Sequence, residues 1–131
     1  MIARYIAKQF SQPTGLLGRM IGRGMARHND REARWTVDLL AIEPDSRVLE
    51  ISFGPGVAIQ YSAERATRGH ISGIDRSGAM LTMARRRNAS GLANGTVDLT
   101  KADVHALPYA NDSFDRAFAI HCIYFWREPA V

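Results

Sequence analysis

Val48-Leu49-Glu50-Ile51-Ser52-Phe53-Gly54-Pro55-Gly56-Val57 decides the fold of this chain. An apolar strand, 47–51, drives into a loop with a carboxylate at its head and two glycines at its end. A helix-compatible segment, 57–68, follows at once. A strand passing through a glycine-rich turn into a helix brings backbone close to a ligand, because glycine has no Cβ to collide with it. Such geometry belongs to a nucleotide-type site at the carboxyl end of a parallel strand. The dinucleotide pattern G-x-G-x-x-G fails, since Ile59 stands where the third glycine belongs, and this argues against a nicotinamide oxidoreductase. The phosphate loop G-x-x-x-x-G-K-[ST] fails for want of a lysine.

The surroundings extend the pattern. Nineteen residues after Gly56, at Asp75, a second segment, 70–75, ends in a carboxylate. An acidic residue at the tip of a second strand can accept both hydrogen bonds of a ribose diol. A third strand, 97–102, is followed by Asp103, and then come Leu107-Pro108-Tyr109, Asp112-Ser113-Phe114-Asp115 and a fourth strand, 115–123. In this order and spacing the chain resembles the Rossmann-like S-adenosylmethionine-dependent methyltransferases, whose first motif reads E/D-x-G-x-G-x-G. Ser52 takes the place of the first glycine. A residue other than glycine there is expected to adopt a less favourable backbone conformation and to crowd the cofactor.

The resemblance implies an α/β fold: a doubly wound, mainly parallel sheet with helices on both faces. It covers nearly the whole chain, as one domain over 1–131, with a helical cap (1–44) and a cofactor-binding core (45–131). Members of the family continue with further strands to a seven-stranded sheet, so the core is expected to be incomplete at its C-terminus. The fourth strand would then form an apolar edge, which adheres to other chains. A homo-oligomer, or a partner covering that edge, is expected, unless the chain is simply shortened. Within the cap, 3–28 is predicted helical with a break at Pro13-Thr14-Gly15. A helix over 30–42 is predicted to line one face with Trp35, Leu39 and Ile42, with Asp30 as a cap. Helix 77–88 is predicted to pack through Met80, Leu81 and Ala84.

Composition bounds the partners. The 131 residues, 46% hydrophobic and 23% charged, match an ordinary globular domain. No run of eighteen apolar residues and no apolar signal centre is present, which predicts a cytoplasmic, non-spanning protein. A single cysteine leaves no intramolecular disulfide, and the four histidines lack metal-ligand spacing, so no metal is expected. Residues 1–34 carry seven Lys/Arg against Asp30 and Glu32. This basic, amphipathic stretch reads as a cap over the cleft, or as a surface for anionic lipid or an acidic substrate, with peripheral membrane contact. Nucleic acid is not expected, because aromatics for base stacking are not interleaved there. Arg85-Arg86-Arg87 suits a solvated helix end, where cations favour the negative pole of the helix.

By the same resemblance S-adenosylmethionine is the cofactor and S-adenosylhomocysteine the product. Glu50, Ser52, Gly54 and Gly56 would carry the methionine moiety, with Glu50 orienting its amino group. Asp75 would bind the ribose, Arg76, Ser77 and Met80 would pack near the adenine, and Asp103 and Val104 would contact the adenine amino edge. Taken singly, Glu50 could instead bond loop amides and Asp75 could cap helix 77–88 together with Ser77. His121 is a candidate general base or a structural histidine; Cys122 reads as core. Tyr124, Phe125 and Trp126 form either an aromatic rim for the acceptor or a surface for another part of the fold. The Asn/Asp-Pro-Pro-Tyr signature of base amino-group methylation is absent. A small-molecule or lipid-like acceptor is therefore expected. A non-catalytic cofactor-binding remnant or subunit stands as the alternative.

Overall fold

The computed structural model describes residues 1–127, apart from the side chain of Ile6; the last four residues of the predicted core lie outside it. Three helices open the chain: α1 (Ile2–Ser11), α2 (Gly15–His28) and α3 (Asp30–Leu39). The core then alternates β1 (Arg47–Ile51), α4 (Val57–Arg65), β2 (His70–Asp75), α5 (Gly78–Arg87), α6 (Ala89–Ala93), β3 (Val97–Lys101) and β4 (Arg116–Ala119). A 3₁₀ turn, Ile123–Phe125, follows. This is the expected α/β architecture, with all four strands parallel in the order β3-β2-β1-β4. The chain runs outward from β1 and then returns to its other side, which makes the carboxyl ends of β1 and β4 the switch point where such sheets hold ligands. Among the described residues no helix is long and apolar enough to cross a membrane.

The core sits between the sheet and the helices. Val48, Ile71, Val97, Leu99 and Phe118 from the strands meet Phe53, Val57, Ala58 and Ile59 from the loop and α4. Gly73 lies so close under Phe53, Ile59 and Leu99 that a Cβ would approach each within 3.0 Å. β3 alternates buried and half-buried positions until its exposed end, and in β4 only Phe118 is buried. On the opposite face of β2 and β3, polar groups pair: Asp98 accepts from the Ser72 hydroxyl at 2.5 Å and lies 2.5 Å from His70 Nε2.

Several local expectations are corrected. β4 ends at Ala119, four residues short, because Ala119 pairs with Ile51, the last residue of β1, and no partner strand extends beyond it. The chain then turns at His121, whose φ is +53°. α3 ends at Leu39, and it turns Ala33 and Val37 inward, not Trp35 and Leu39, which are each 65% exposed; Ile42 is partly buried beyond its end. Asp30 is not its cap. It lies within the first turn and accepts from the Tyr61 hydroxyl and from Arg34 Nε. α4 stops at Arg65, where the turn to β2 brings the Arg68 amide onto the Pro44 carbonyl at 2.7 Å. The short helix α6 was not predicted.

Candidate cofactor-binding site

The loop after β1 is built by backbone geometry. The amides of Ser52 and Phe53 both donate to the Ile74 carbonyl, at 2.8 and 3.2 Å, which ties the loop to the end of β2. Phe53 is buried beneath it. Ser52, Gly54 and Gly56 all take positive φ, at +62°, +53° and +84°. Ser52 is thus held in the left-handed region that the glycine pattern is suited to. Ser52→Gly is expected to raise stability by about 0.5–1 kcal/mol, the relief of a left-handed side chain less the entropy that glycine costs. A urea midpoint that falls instead would show that the hydroxyl outweighs the strain.

Gly54 faces open space, since the nearest group to a Cβ there would be the Met25 methyl at 3.8 Å. Gly56 does not line the cleft; its missing side chain makes room for Ala84 and Asn88 instead. Glu50 is 3% exposed and lines a smaller adjoining cavity of about 400 Å³, into which Ser52 and Gly54 also open. One carboxylate oxygen of Glu50 has no hydrogen-bond partner among the described residues. Burial, and then the charge of Asp75, push its carboxyl well above the ordinary range, against the pull of the Ile59 amide.

Asp75 ends β2 and is 8% exposed. Its Oδ2 accepts from the Gly54 amide and its Oδ1 from the Ser77 amide, each at 2.8 Å. It therefore locks the glycine loop to the start of α5, and each oxygen keeps a second acceptor site. Burial raises its carboxyl, while the Ser77 and Gly54 amides oppose that shift. Ser77 is the side-chain cap of α5, accepting from the Met80 amide at 3.2 Å, while Asp75 accepts from the Ser77 amide rather than from the helix.

Around this loop lies a cleft of about 730 Å³, open to solvent. It gathers Ser52, Gly54, Asp75, Arg76, Met80, Asp103, Val104 and His121; of the candidate cofactor-binding residues, Glu50, Gly56 and Ser77, which is buried beneath the cap, do not line it. Asp103 follows β3 in a turn, where it accepts from the His105 amide at 2.9 Å; that bond, with the His105 ring, holds its carboxyl below the usual range. His121 is exposed at the rim, and Cys122 is buried, with its Sγ 3.7 Å from the Ile51 carbonyl it donates to. Burial pushes that thiol up, away from nucleophilic use.

The cap closes over the same cleft. The Ser77 hydroxyl donates to the Pro13 carbonyl, and Gln12 Nε2 donates to the Arg76 carbonyl at 3.2 Å. Buried Gln9 braces the turn by pairing with the amide and hydroxyl of Thr14. Phe10, Pro13, Met25 and Asn29 thereby reach the cleft wall. A second cavity, about 1090 Å³, adjoins through Phe10, Met25, Asn29, His121 and Phe125. Its lining adds Ile21, His28, Tyr124 and Glu32, and Glu32 Oε2 is buried without a partner among the described residues. In the sequence Phe10 stands in the amphipathic run of the cap, Glu32 among its charges and His28 among the scattered histidines, but none of them is placed in the site there.

Comparison with known proteins agrees with this geometry. Residues 48–131 match the family model described as a methyltransferase domain. The chain is 30% identical over 104 residues to the uncharacterized methyltransferase YdaC of Bacillus subtilis, covering 79% of this chain and 55% of that protein. It is 31% identical over 83 residues to the ubiquinone/menaquinone biosynthesis C-methyltransferase UbiE of Geotalea daltonii, covering 63% and 35%. It spans about half or less of these relatives' length. Among solved structures, a methyltransferase of Thiobacillus denitrificans in complex with S-adenosyl-L-homocysteine superposes with a TM-score of 0.58 at 23% identity, over 71% of this chain and 37% of that one. Glycine loop, acidic strand tips and family match coincide on one stretch, and the chain belongs to the S-adenosylmethionine-dependent methyltransferase family.

Proposed function

We propose that this chain binds S-adenosylmethionine in the cleft and transfers its methyl group to a small-molecule or lipid-like acceptor held in the adjoining cavity. The observation that carries the reading is the buried carboxyl group of Glu50 at the head of the glycine loop, one oxygen of which has no partner among the described residues. A buried carboxylate with one oxygen left without a partner is costly, and a cationic amino group would relieve it. The open face at Gly54 and the spare acceptor sites of Asp75 fit the rest of such a cofactor.

In this reading Glu50, Ser52 and Gly54 hold the methionine end, Asp75 the ribose, and Arg76, Met80, Asp103 and Val104 the adenine. Gly56 acts through the packing of the loop. When bound, the cofactor supplies an electrophilic methyl on a sulfonium, so the protein's part is positioning and exclusion of water. Phe10, Met25 and Phe125 would wall the acceptor in apolar surroundings. His121, at the junction of the two cavities, would take a proton from the acceptor atom. Residues 1–44 act as cap and 45–131 as core of one cytoplasmic domain. The quinone named in the UbiE relative is one acceptor of the right character.

Among the described residues β4 is an edge strand, which favours a second reading: a cofactor-binding unit that acts only when another strand, from a second copy or a partner, covers that edge. Calorimetric titration with S-adenosylhomocysteine, with NAD as control, tests the first step. Saturable binding of the former alone is expected. A folded chain that binds neither would end both readings, whereas binding without turnover on any acceptor would leave the second.

A further inference from the structure

We infer that α1 and α2 form a docking surface for an anionic phospholipid bilayer. Residues 1–28 contain five Lys/Arg and no Asp or Glu. On α2, Gly18 and Gly22 face inward: a Cβ at Gly18 would meet Pro13 and one at Gly22 would meet Met80 and Met83. The opposite strip carries Leu16, Met20, Arg23 and Arg27, one helical face by their spacing. Leu16 is 70% exposed and Met20 62%, and Ile2 of α1 is 76% exposed. On this face of α2, exposed apolar groups stand beside arginines that make no ion pair among the described residues, the pairing that seats a helix at a headgroup boundary.

A groove beside this strip strengthens the match. Arg19 and Arg23 from α2 and Arg86 and Arg87 from α5 line about 940 Å³ in which no carboxylate takes part. None of the four makes an ion pair among the described residues. Arg87 feels Asp30, but that carboxylate is already engaged by Tyr61 and Arg34. Guanidinium groups bind phosphate oxygens bidentately, so the groove suits lipid headgroups while Leu16 and Met20 enter the acyl boundary. Phe10 of α1, 55% exposed, lines both the cleft and the larger cavity. On the function proposed above, a lipid-like acceptor would reach the cleft along it.

Co-sedimentation of the full chain with vesicles tests the surface without cofactor or turnover, so its outcome is separate from that of the transfer reaction. Binding to phosphatidylglycerol vesicles should exceed binding to phosphatidylcholine vesicles by roughly tenfold or more, and should weaken with added salt. R19Q/R23Q, R86Q/R87Q and L16S/M20S should each reduce it about tenfold with melting curves unchanged. Equal binding to both lipids, insensitivity to salt, or no binding would overturn the proposal. So would protection of the chain against heat by inorganic pyrophosphate without vesicle binding, which would make the groove a site for a soluble anion. A lower mass in L16S/M20S with vesicle binding intact would assign the apolar strip to a second copy and overturn it equally. The lipid comparison and salt series on the unaltered chain decide the matter even if a variant fails to fold.

Discussion

Glu50→Gln should stabilise the ligand-free chain at pH 8 by about 2 kcal/mol and yet weaken S-adenosylhomocysteine binding by roughly 10- to 100-fold. The first effect follows from a carboxylate buried without a partner for one of its oxygens. Burial and the charge of Asp75 raise its carboxyl, so the folded chain keeps a proton that the unfolded chain has already released. Stability contributed by that proton is complete below the ordinary glutamate value of about 4.3, and it is lost as pH rises through the raised folded value. Glutamine carries no charge at any pH and removes this loss. Asp75 is shifted in the same direction, so a shallower slope should persist in the variant. Urea melts at pH 5 and pH 8 measure the difference; equal slopes in the two proteins would remove Glu50 from the account. The second effect follows if the carboxylate pairs with the cofactor's amino group, a charge-assisted bond worth about 1.5–3 kcal/mol. A variant both more stable and weaker in binding would identify Glu50 as a site held at a cost to the fold.

Gly56→Ala should destabilise the chain by about 2–5 kcal/mol, a large share of the roughly 5–15 kcal/mol that ordinary domains possess. Two causes add. Gly56 sits at φ +84°, where a side chain is strained. A Cβ would also lie 2.8 Å from the Ala84 Cβ and 2.8 Å from Asn88 Nδ2. Asn88 cannot simply move away, because that nitrogen donates to the Gly56 and Ala84 carbonyls at 3.0 Å each. Gly95→Ala is the matched control, with φ +80° and nothing within 4 Å. It should cost only the backbone part, about 1–2 kcal/mol. Equal losses at the two positions by urea denaturation would mean that the α4–α5 contact is loose.

Much of this was legible in advance because its causes are local. An apolar run before E-x-S-x-G-x-G can only be a strand entering a tight turn, and the carboxylates at Asp75 and Asp103 come at strand tips because the strand lengths put them there. The errors fall where the cause lies elsewhere in the chain. The length of β4 depends on where β1 stops pairing, the inward face of α3 on how it meets α4, and Asp30's role on Tyr61 across 31 residues. Gly56 looked like a ligand-facing glycine because the motif cannot say which of two glycines meets Ala84 and which meets open space.

From the sequence alone came the parallel α/β order, the glycine loop, its acidic companions and the family, since each depends on residue type at short spacing. Tertiary structure alone decided that Glu50 lies buried with an oxygen unpartnered, that Asp75 bonds two backbone amides, and that the turn at Pro13 fastens the cap to Ser77. It also decided which arginines share a groove. Those properties are sums over neighbours brought together from distant parts of the chain. Burial and electrostatic partners are fixed by packing, and packing is not a property of any one stretch.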